Sequence, residues 1–318
     1  MKKFRFWIEY VGLLILQWCV ARMPFLWLRH LGAFVGSIAY YCDFRGRKVS
    51  LANITAAFGD KYTPAQRARI ARKSYCVFAR TMIEMLWSPN ITRDFALNVC
   101  NSQWTDGKER TEMPDRGVIH PCIHFSNFNW LTTLGAYSVG IGSIISAQYE
   151  NPYLGPFLEK LRACTGNPVV PKDRALIHMF KILQRGGRFG SVADVTLDVR
   201  KGGVVISTFG GLLMSVAPSH AALAQRTGAQ IEMLECMPRE DGYYTIMRHP
   251  PFLCGKDEDL TQCVQKCWDV FEKTIVAHPE CWLWSYKYWR TMPATGDNSR
   301  FPFYANVGPY FPDPRPRE

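Results

Sequence analysis

The sequence predicts an α/β layered domain with a largely parallel sheet, preceded by a helical region. Three observations carry this. From about residue 105, short apolar runs of strand length alternate with longer stretches at helical period. Before residue 100 that alternation is absent and the apolar spacing stays near 3.6. The chain has 318 residues, 47% of them hydrophobic and 14% aromatic, enough for a large core and incompatible with a disordered protein.

The chain begins "MKKFRFWIEYVGLLILQWCVARMP". Residues 6–20 are almost wholly apolar, broken by Glu9 and Gln17 and closed by Arg22 and Pro24. At 1.5 Å per residue such a helix reaches roughly 25 Å, short of a hydrocarbon core of about 30 Å. Lys2, Lys3, Arg5, Arg22 and Arg29, with Trp7, Trp18 and Trp27, have the character of interfacial anchors. A short single span and an in-plane helix both fit, and residues 1–24 are read as a membrane-anchoring helix. Arg5 and Glu9, four residues apart, can pair on one helical face.

Residues 25–100 form the helical region. In it "TPAQRARIARKSYCVFARTMIEMLW" places Thr63 as N-cap and Pro64 at the first helical position. The α/β domain then runs over 101–295, followed by a Pro-rich tail over 296–318. "GVIHPCI" (117–123) reads as a buried strand, "WLTTLGAYSVG" as a helix and "IGSIISA" as a strand. "ALIHMFKILQRGG" reads as a helix closed by glycines, "FGSVADV" as a strand, "APSHAALAQRTGA" as a helix and "QIEMLECMPR" (230–239) as one strand.

Ligands in such sheets collect at the carboxyl ends of the strands, and His124 follows its strand directly. His120, Cys122 and His124 would alternate onto one strand face, but no second ligand pair lies nearby and no metal is expected. Eleven cysteines without regular spacing read as small core hydrophobes in a reducing cytosol, with Cys263 and Cys267 on one buried helical stripe. Lys and Arg exceed Asp and Glu by 38 to 27, a net charge of +11, which suits an anionic lipid surface or an acidic carrier protein. No nucleic-acid-binding motif is visible, and nucleic acid is not expected as a partner.

Five segments in order resemble the bacterial lipid A late acyltransferases: "HFSNFN" (124–129), "NPYLGPFLEKLR" with "TGNPVVPKDRAL", "GRFGSVADV", "STFGG" and "HPECWLWSYKYWRTMP". The resemblance covers the chain to about Pro293. It implies a glycerol-3-phosphate-acyltransferase-like α/β core, an acyl carrier protein thioester as donor and a lipid hydroxyl as acceptor at the cytoplasmic face of the inner membrane, with no cofactor. The family's site is His-x4-acid in a setting like "HFGNWE". Here His124 matches the histidine, Ser126 replaces Gly, Phe128 replaces Trp, and Asn129 stands at the acid. Arg162, Arg174 and Asp194 fall on further family positions and are implied to bind substrate. The "DQ" turn has Val195 in place of Gln, "FFG" has lost one Phe to Thr208, and Tyr286 replaces a later His.

The residue chemistry agrees with the resemblance. A hydroxyl attacking a thioester needs a base titrating near neutrality, which histidine supplies. Its second ring nitrogen must be held in one tautomer, and Asn129 can do this through its amide oxygen but without charge. The expectation is therefore transfer with His124 as base and Asn129 as its partner. The rival reading is an impaired relative that binds lipid or a partner without turnover. The aromatic run Trp282, Trp284, Tyr286, Tyr288 and Trp289 reads as core or membrane contact.

Overall fold

A computed structural model describes residues 2–110, 116–140, 144–145, 150–167, 169–170 and 175–308. Its first part is helical as predicted. Lys2–Val20, Leu28–Cys42, Phe44–Phe58, Pro64–Trp87 and Arg93–Val99 follow one another with short breaks. The Pro64–Trp87 helix starts with a capping box: Thr63 Oγ1 accepts from the Gln66 amide, and the Gln66 side chain accepts from the Thr63 amide. Leu28–Cys42 lies flush against it, because Gly32 and Gly36 leave no space for a Cβ above Arg80 and Cys76.

The N-terminal helix carries the expected Arg5–Glu9 pair at 3.1 Å. It is docked on the body of the protein rather than hanging free. The buried Asn151 side chain donates to the Phe6 carbonyl and to Glu9, Lys2 pairs with Glu150, and Tyr10 packs on Tyr153 and Phe157. Among the described residues no single helix is long and apolar enough to cross a membrane. Lys2–Val20 and Phe25–Cys42 together form a pair bent by 120°.

The α/β part is built on a six-stranded sheet in the order Phe252–Leu253, Gln230–Ile231, Val118–Cys122, Arg188–Val192, Ile144–Ile145, Val169–Val170. All pairings are parallel except that of the first edge strand. Val118–Cys122 is buried at every residue, as expected for a strand inside a parallel sheet. The segment read as one strand over 230–239 is two strands in two sheets. After Ile231 the chain turns at Glu232, whose amide donates to the Ile119 carbonyl and whose carboxylate takes Arg248 at 2.7 Å. Leu234–Pro238 then joins Tyr244–Arg248 and Cys100–Trp104 in a separate three-stranded sheet.

The expected helix at "WLTTLGAYSVG" begins earlier, at Phe128, and breaks into Phe128–Thr133 and Gly135–Ser138. The strand expected at "IGSIISA" is represented by Ile144–Ile145, its flanks lying outside the described residues. "STFGG" turns a hairpin, Val204–Thr208 with Leu212–Val216. Phe209, Gly210 and Gly211 all have positive φ there, which the two glycines take without a Cβ penalty.

Two hydrophobic clusters fill the interior. One gathers Ile119, Phe189, Phe209, Trp268, Trp282, Trp284 and Trp289; the other gathers Phe25, Trp87, Trp130, Leu161 and Tyr244. The late aromatic run is thus core, not membrane contact. Cys100, Cys122, Cys236, Cys267 and Cys281 are buried thiols as expected, but Cys19 and Cys42 are exposed, Cys76 and Cys164 are half-buried, and Cys254 and Cys263, though buried, are not free thiols. The loop after Phe252–Leu253 lays Cys254 over the first turn of the Leu260–Ala277 helix, and the two form a disulfide.

Candidate active site

Strand pairing builds the site. Val118–Cys122 and Arg188–Val192 are parallel neighbours with Cys122 opposite Val192. The Ala193 amide extends the pairing to the Cys122 carbonyl at 2.7 Å. Two residues past each strand, at their carboxyl ends, stand His124 and Asp194, side by side although 70 residues apart in sequence. Asp194 Oδ1 lies 2.7 Å from His124 Nδ1, and Asp194 Oδ2 accepts the His124 amide at 3.0 Å. The same Oδ2 accepts from Trp282 Nε1 at 3.0 Å and from the Tyr288 hydroxyl at 3.3 Å.

Asp194 is fully buried, and an isolated carboxylate there would be strongly disfavoured. Its four donors reverse that. Burial pushes the carboxyl upward, but the His124 charge and the hydrogen bonds from His124 and Trp282 leave it below the usual carboxylate range. Burial likewise pulls the His124 imidazolium down, and the Asp194 charge and hydrogen bond outweigh it, so His124 titrates above an ordinary histidine. Pairing to a carboxylate assigns the proton to Nδ1 and leaves the Nε2 lone pair available. The ring is 27% exposed, and Nε2 has no hydrogen bond among the described residues. Phe128 sits edge-on to it with centroids 4.6 Å apart.

The loop that carries His124 is fixed from two sides. The segment 281–283 pairs with it antiparallel: Phe125 bridges Trp282, the Ser126 amide donates to the Cys281 carbonyl, and the Leu283 amide donates to the His124 carbonyl. From the Pro64–Trp87 helix, the Thr81 hydroxyl donates to the Ser126 carbonyl at 2.9 Å. Ser126 itself is held at φ +48°, the left-handed region where a non-glycine residue is strained. Asn127 caps the next helix by accepting from the Trp130 amide and donates to Glu84 at 2.5 Å. Glu84 is fully buried and also accepts from Tyr244 at 2.7 Å and Arg80 at 2.5 Å.

Of the residues singled out in the sequence, the structure brings together His124 and Asp194, not His124 and Asn129. Asn129 lies inside the Phe128–Thr133 helix, and among the described residues no hydrogen bond joins its side chain to His124. Its backbone carbonyl accepts from Thr132 and Thr133, and among the described residues its buried amide nitrogen has no hydrogen-bond partner. Asp194, read from the sequence as a substrate contact, is the residue hydrogen-bonded to His124 Nδ1. Arg162 closes the Leu154–Arg162 helix, which packs on the helix bearing Asn129 and on Pro64–Trp87. Arg174 lies outside the described residues.

His120 does not share a metal face with His124. It is buried, its Nδ1 lies 3.2 Å from the Glu232 carbonyl, and burial pushes it down to about 4 despite the partly opposing Glu232. Burial pushes the neighbouring Cys122 thiol up to about 12, helped by Asp194, so it is not a thiolate nucleophile. Trp282, Tyr288 and Glu84 were not legible as parts of the site. Only the "WLWSYKYW" segment of the resemblance pointed toward the first two.

A histidine base oriented by a buried carboxylate at the strand ends suits transfer of an activated acyl group to a hydroxyl. The family model of bacterial lipid A biosynthesis acyltransferases matches residues 1–291. The chain belongs to this family. It is 21% identical over 305 residues to the lipid A biosynthesis palmitoleoyltransferase of Escherichia coli K12, covering 93% of this chain and 95% of that protein. A lipid A biosynthesis acyltransferase of Shigella flexneri matches with the same identity and coverage. The lipid A biosynthesis lauroyltransferase of Escherichia coli K12 is 22% identical over 300 residues, 91% of this chain and 93% of that one. The protein is thus an acyltransferase enzyme of lipid A biosynthesis, and the histidine of "HFSNFN" has a carboxylate partner that comes from the end of a different strand.

Proposed function

We propose that the protein moves a fatty acyl chain from an acyl carrier protein thioester to a hydroxyl of a lipid A precursor or related glycolipid, at the cytoplasmic face of the bacterial inner membrane. The observation that carries the reading is the His124–Asp194 pair at 2.7 Å, placed at the carboxyl ends of adjacent parallel strands. In this reading 101–295 is a glycerol-3-phosphate-acyltransferase-like layered domain, 25–100 is its helical companion, 1–24 is the anchor and 296–318 a tail.

The proposed step uses this geometry. His124 Nε2 takes the proton of the acceptor hydroxyl as its oxygen attacks the thioester carbonyl carbon. Asp194 holds Nδ1–H and stabilises the imidazolium that forms. The C–O bond forms, the tetrahedral intermediate collapses, the C–S bond breaks, and the imidazolium returns its proton to the leaving thiolate. Protons and electrons balance without a cofactor. Arg162 and Arg174 are retained as candidate contacts to an anionic substrate.

Membrane association is supported by the face the bent N-terminal pair leaves uncovered. Phe4, Trp7, Ile15, Leu16, Trp18, Trp27 and Phe34 are all exposed, beside Lys2, Lys3, Arg5 and Arg22. Such a face fits a helix lying in the interface. The test is a radiolabelled acyl-carrier-protein assay on purified membranes with a panel of lipid acceptors, wild type against His124→Ala. Transfer lost in the variant supports the reading; transfer at an unchanged rate overturns it.

A further inference from the structure

Behind the Asp194 side of the site lies a cavity of about 310 Å³ that the transfer step does not use. Its wall includes Thr196, Lys201, Ser215, Tyr288, Arg290 and Thr291. Tyr288 joins it to the chemistry, since the hydroxyl of this buried ring donates to Asp194 Oδ2, the carboxylate that holds His124. Thr196 follows Asp194 by two residues and shares a hydrogen bond of 2.9 Å with Tyr286. We propose that this cavity binds a phosphate ester carried by one of the two substrates.

Charge and donor type point to that class. Lys201 and Arg290 are exposed at the rim. Arg290 Nε donates to the Lys287 carbonyl at 3.0 Å, and among the described residues neither its terminal nitrogens nor Lys201 Nζ has an ion pair. The one acid in the wall, Asp198, is already engaged: Arg200 grips it at 3.1 and 2.7 Å, and it caps the turn at the Arg200 amide. Two cations with the Thr291 hydroxyl beside them suit a tetrahedral oxyanion with several acceptor oxygens, while the Ser215 hydroxyl is spent on the Leu197 carbonyl and Thr196 is paired with Tyr286. The volume exceeds a bare phosphate, leaving room for the sugar or pantetheine that bears it.

The proposal rests on the acyl-transfer reading, and two sources share this chemistry: a phosphate on the glycolipid acceptor, or the phosphodiester of the carrier's pantetheine arm. The test is the full-length double variant Lys201→Gln/Arg290→Gln. Lys256→Gln/Lys273→Gln, exposed and remote from the cavity, is the control for lost charge. In steady-state transfer the first variant should raise KM about tenfold or more for one substrate only, with a smaller change in kcat. A rise for the acceptor that disappears when a dephosphorylated acceptor is used assigns the phosphate to the lipid. A rise for the donor alone assigns it to the carrier arm.

Calorimetric titration with inorganic pyrophosphate reads the cavity without turnover: wild type and control should bind, and Lys201→Gln/Arg290→Gln should bind at least tenfold more weakly. Equal pyrophosphate binding with both KM values unchanged overturns the cavity proposal and leaves acyl transfer standing. Absence of His124-dependent transfer in the wild type would instead remove the functional reading, with the titration still deciding the cavity.

Discussion

Asp194 Oδ1 lies 2.7 Å from Nδ1 of His124, and the two residues reach that distance because each stands two positions beyond a residue of one parallel pair, Cys122 opposite Val192. In the proposed mechanism this relation gives Asp194 the orienting role. Asp194→Asn keeps the volume but allows the wrong tautomer and removes the charge, so kcat should fall on the order of 10²–10⁴-fold. The pH profile gives the sign. As a base His124 works neutral, so the rate rises with pH through its raised pKa, and the acid limb lies above that of an ordinary histidine. In Asp194→Asn burial remains without the opposing charge, so the residual activity should show its acid limb at lower pH. A limb that stays put would mean another group titrates there.

Asn129 should matter less than its place in the motif suggests. Among the described residues its buried amide nitrogen has no hydrogen-bond partner, and the His124 Nδ1 it was expected to hold is taken by Asp194. Asn129→Leu removes that unsatisfied donor, so stability should change by less than about 1–3 kcal/mol. Turnover should fall far less than in Asp194→Asn. The two variants assayed side by side decide it: an Asn129→Leu loss as deep as that of Asp194→Asn would return the orienting role to Asn129.

What the sequence made legible follows from the range of the interactions. The Thr63 cap, the Arg5–Glu9 pair and the strand ending before His124 depend on neighbours within a few residues, and all are present. The acid partner was not legible as such, because its role is created by strand pairing across 70 residues. Asp194 could be read only as an acid at a strand end. Trp282 and Tyr288 look like core from their composition, and they are core. Their donors to Asp194 exist only because 281–283 folds back along the His124 loop.

Ser126 tests the strain in that loop. At φ +48° a serine is held in a region that glycine occupies freely. Ser126→Gly should therefore raise the unfolding midpoint, by up to about 1 kcal/mol in stability, while Ser126→Val should lower it by more. Thermal or denaturant unfolding of the three proteins checks the order. A destabilised glycine variant would show that the serine side chain contributes more than the backbone strain costs.

Glu84 is the fixed point under the loop. Burial raises its carboxyl above the usual range, opposed by Arg80, Tyr244 and Asn127. Removing it leaves Arg80 with its hydrogen-bonding carboxylate gone and Asn127 without its acceptor. Glu84→Ala should cost about 3–5 kcal/mol, as for breaking a buried pair, and Glu84→Gln less, since the amide oxygen still accepts. Unfolding measured alongside activity separates the effects: at temperatures where both stay folded, kcat should fall in Glu84→Ala because His124 loses the support of Asn127.

The outward face of the first helix is where the enzyme is expected to meet its lipid. Deleting the first helix would also strip Asn151 of its partners, so release from membranes would be confounded with damage to the body of the protein. Substituting the outward face alone avoids this. Phe4, Trp7, Ile15 and Trp18 are exposed, while Phe6 and Val20 are buried and Glu9 is held by Asn151. Changing the first four to serine removes apolar area that would enter the interface and leaves the docking contacts in place. The variant should move from the membrane pellet to the supernatant while keeping its unfolding temperature near that of the wild type. Binding to anionic vesicles should weaken in parallel, and should weaken in the wild type as salt shortens the Debye length toward about 8 Å. A folded variant that still sediments wholly with membranes would show that this face is not the anchor.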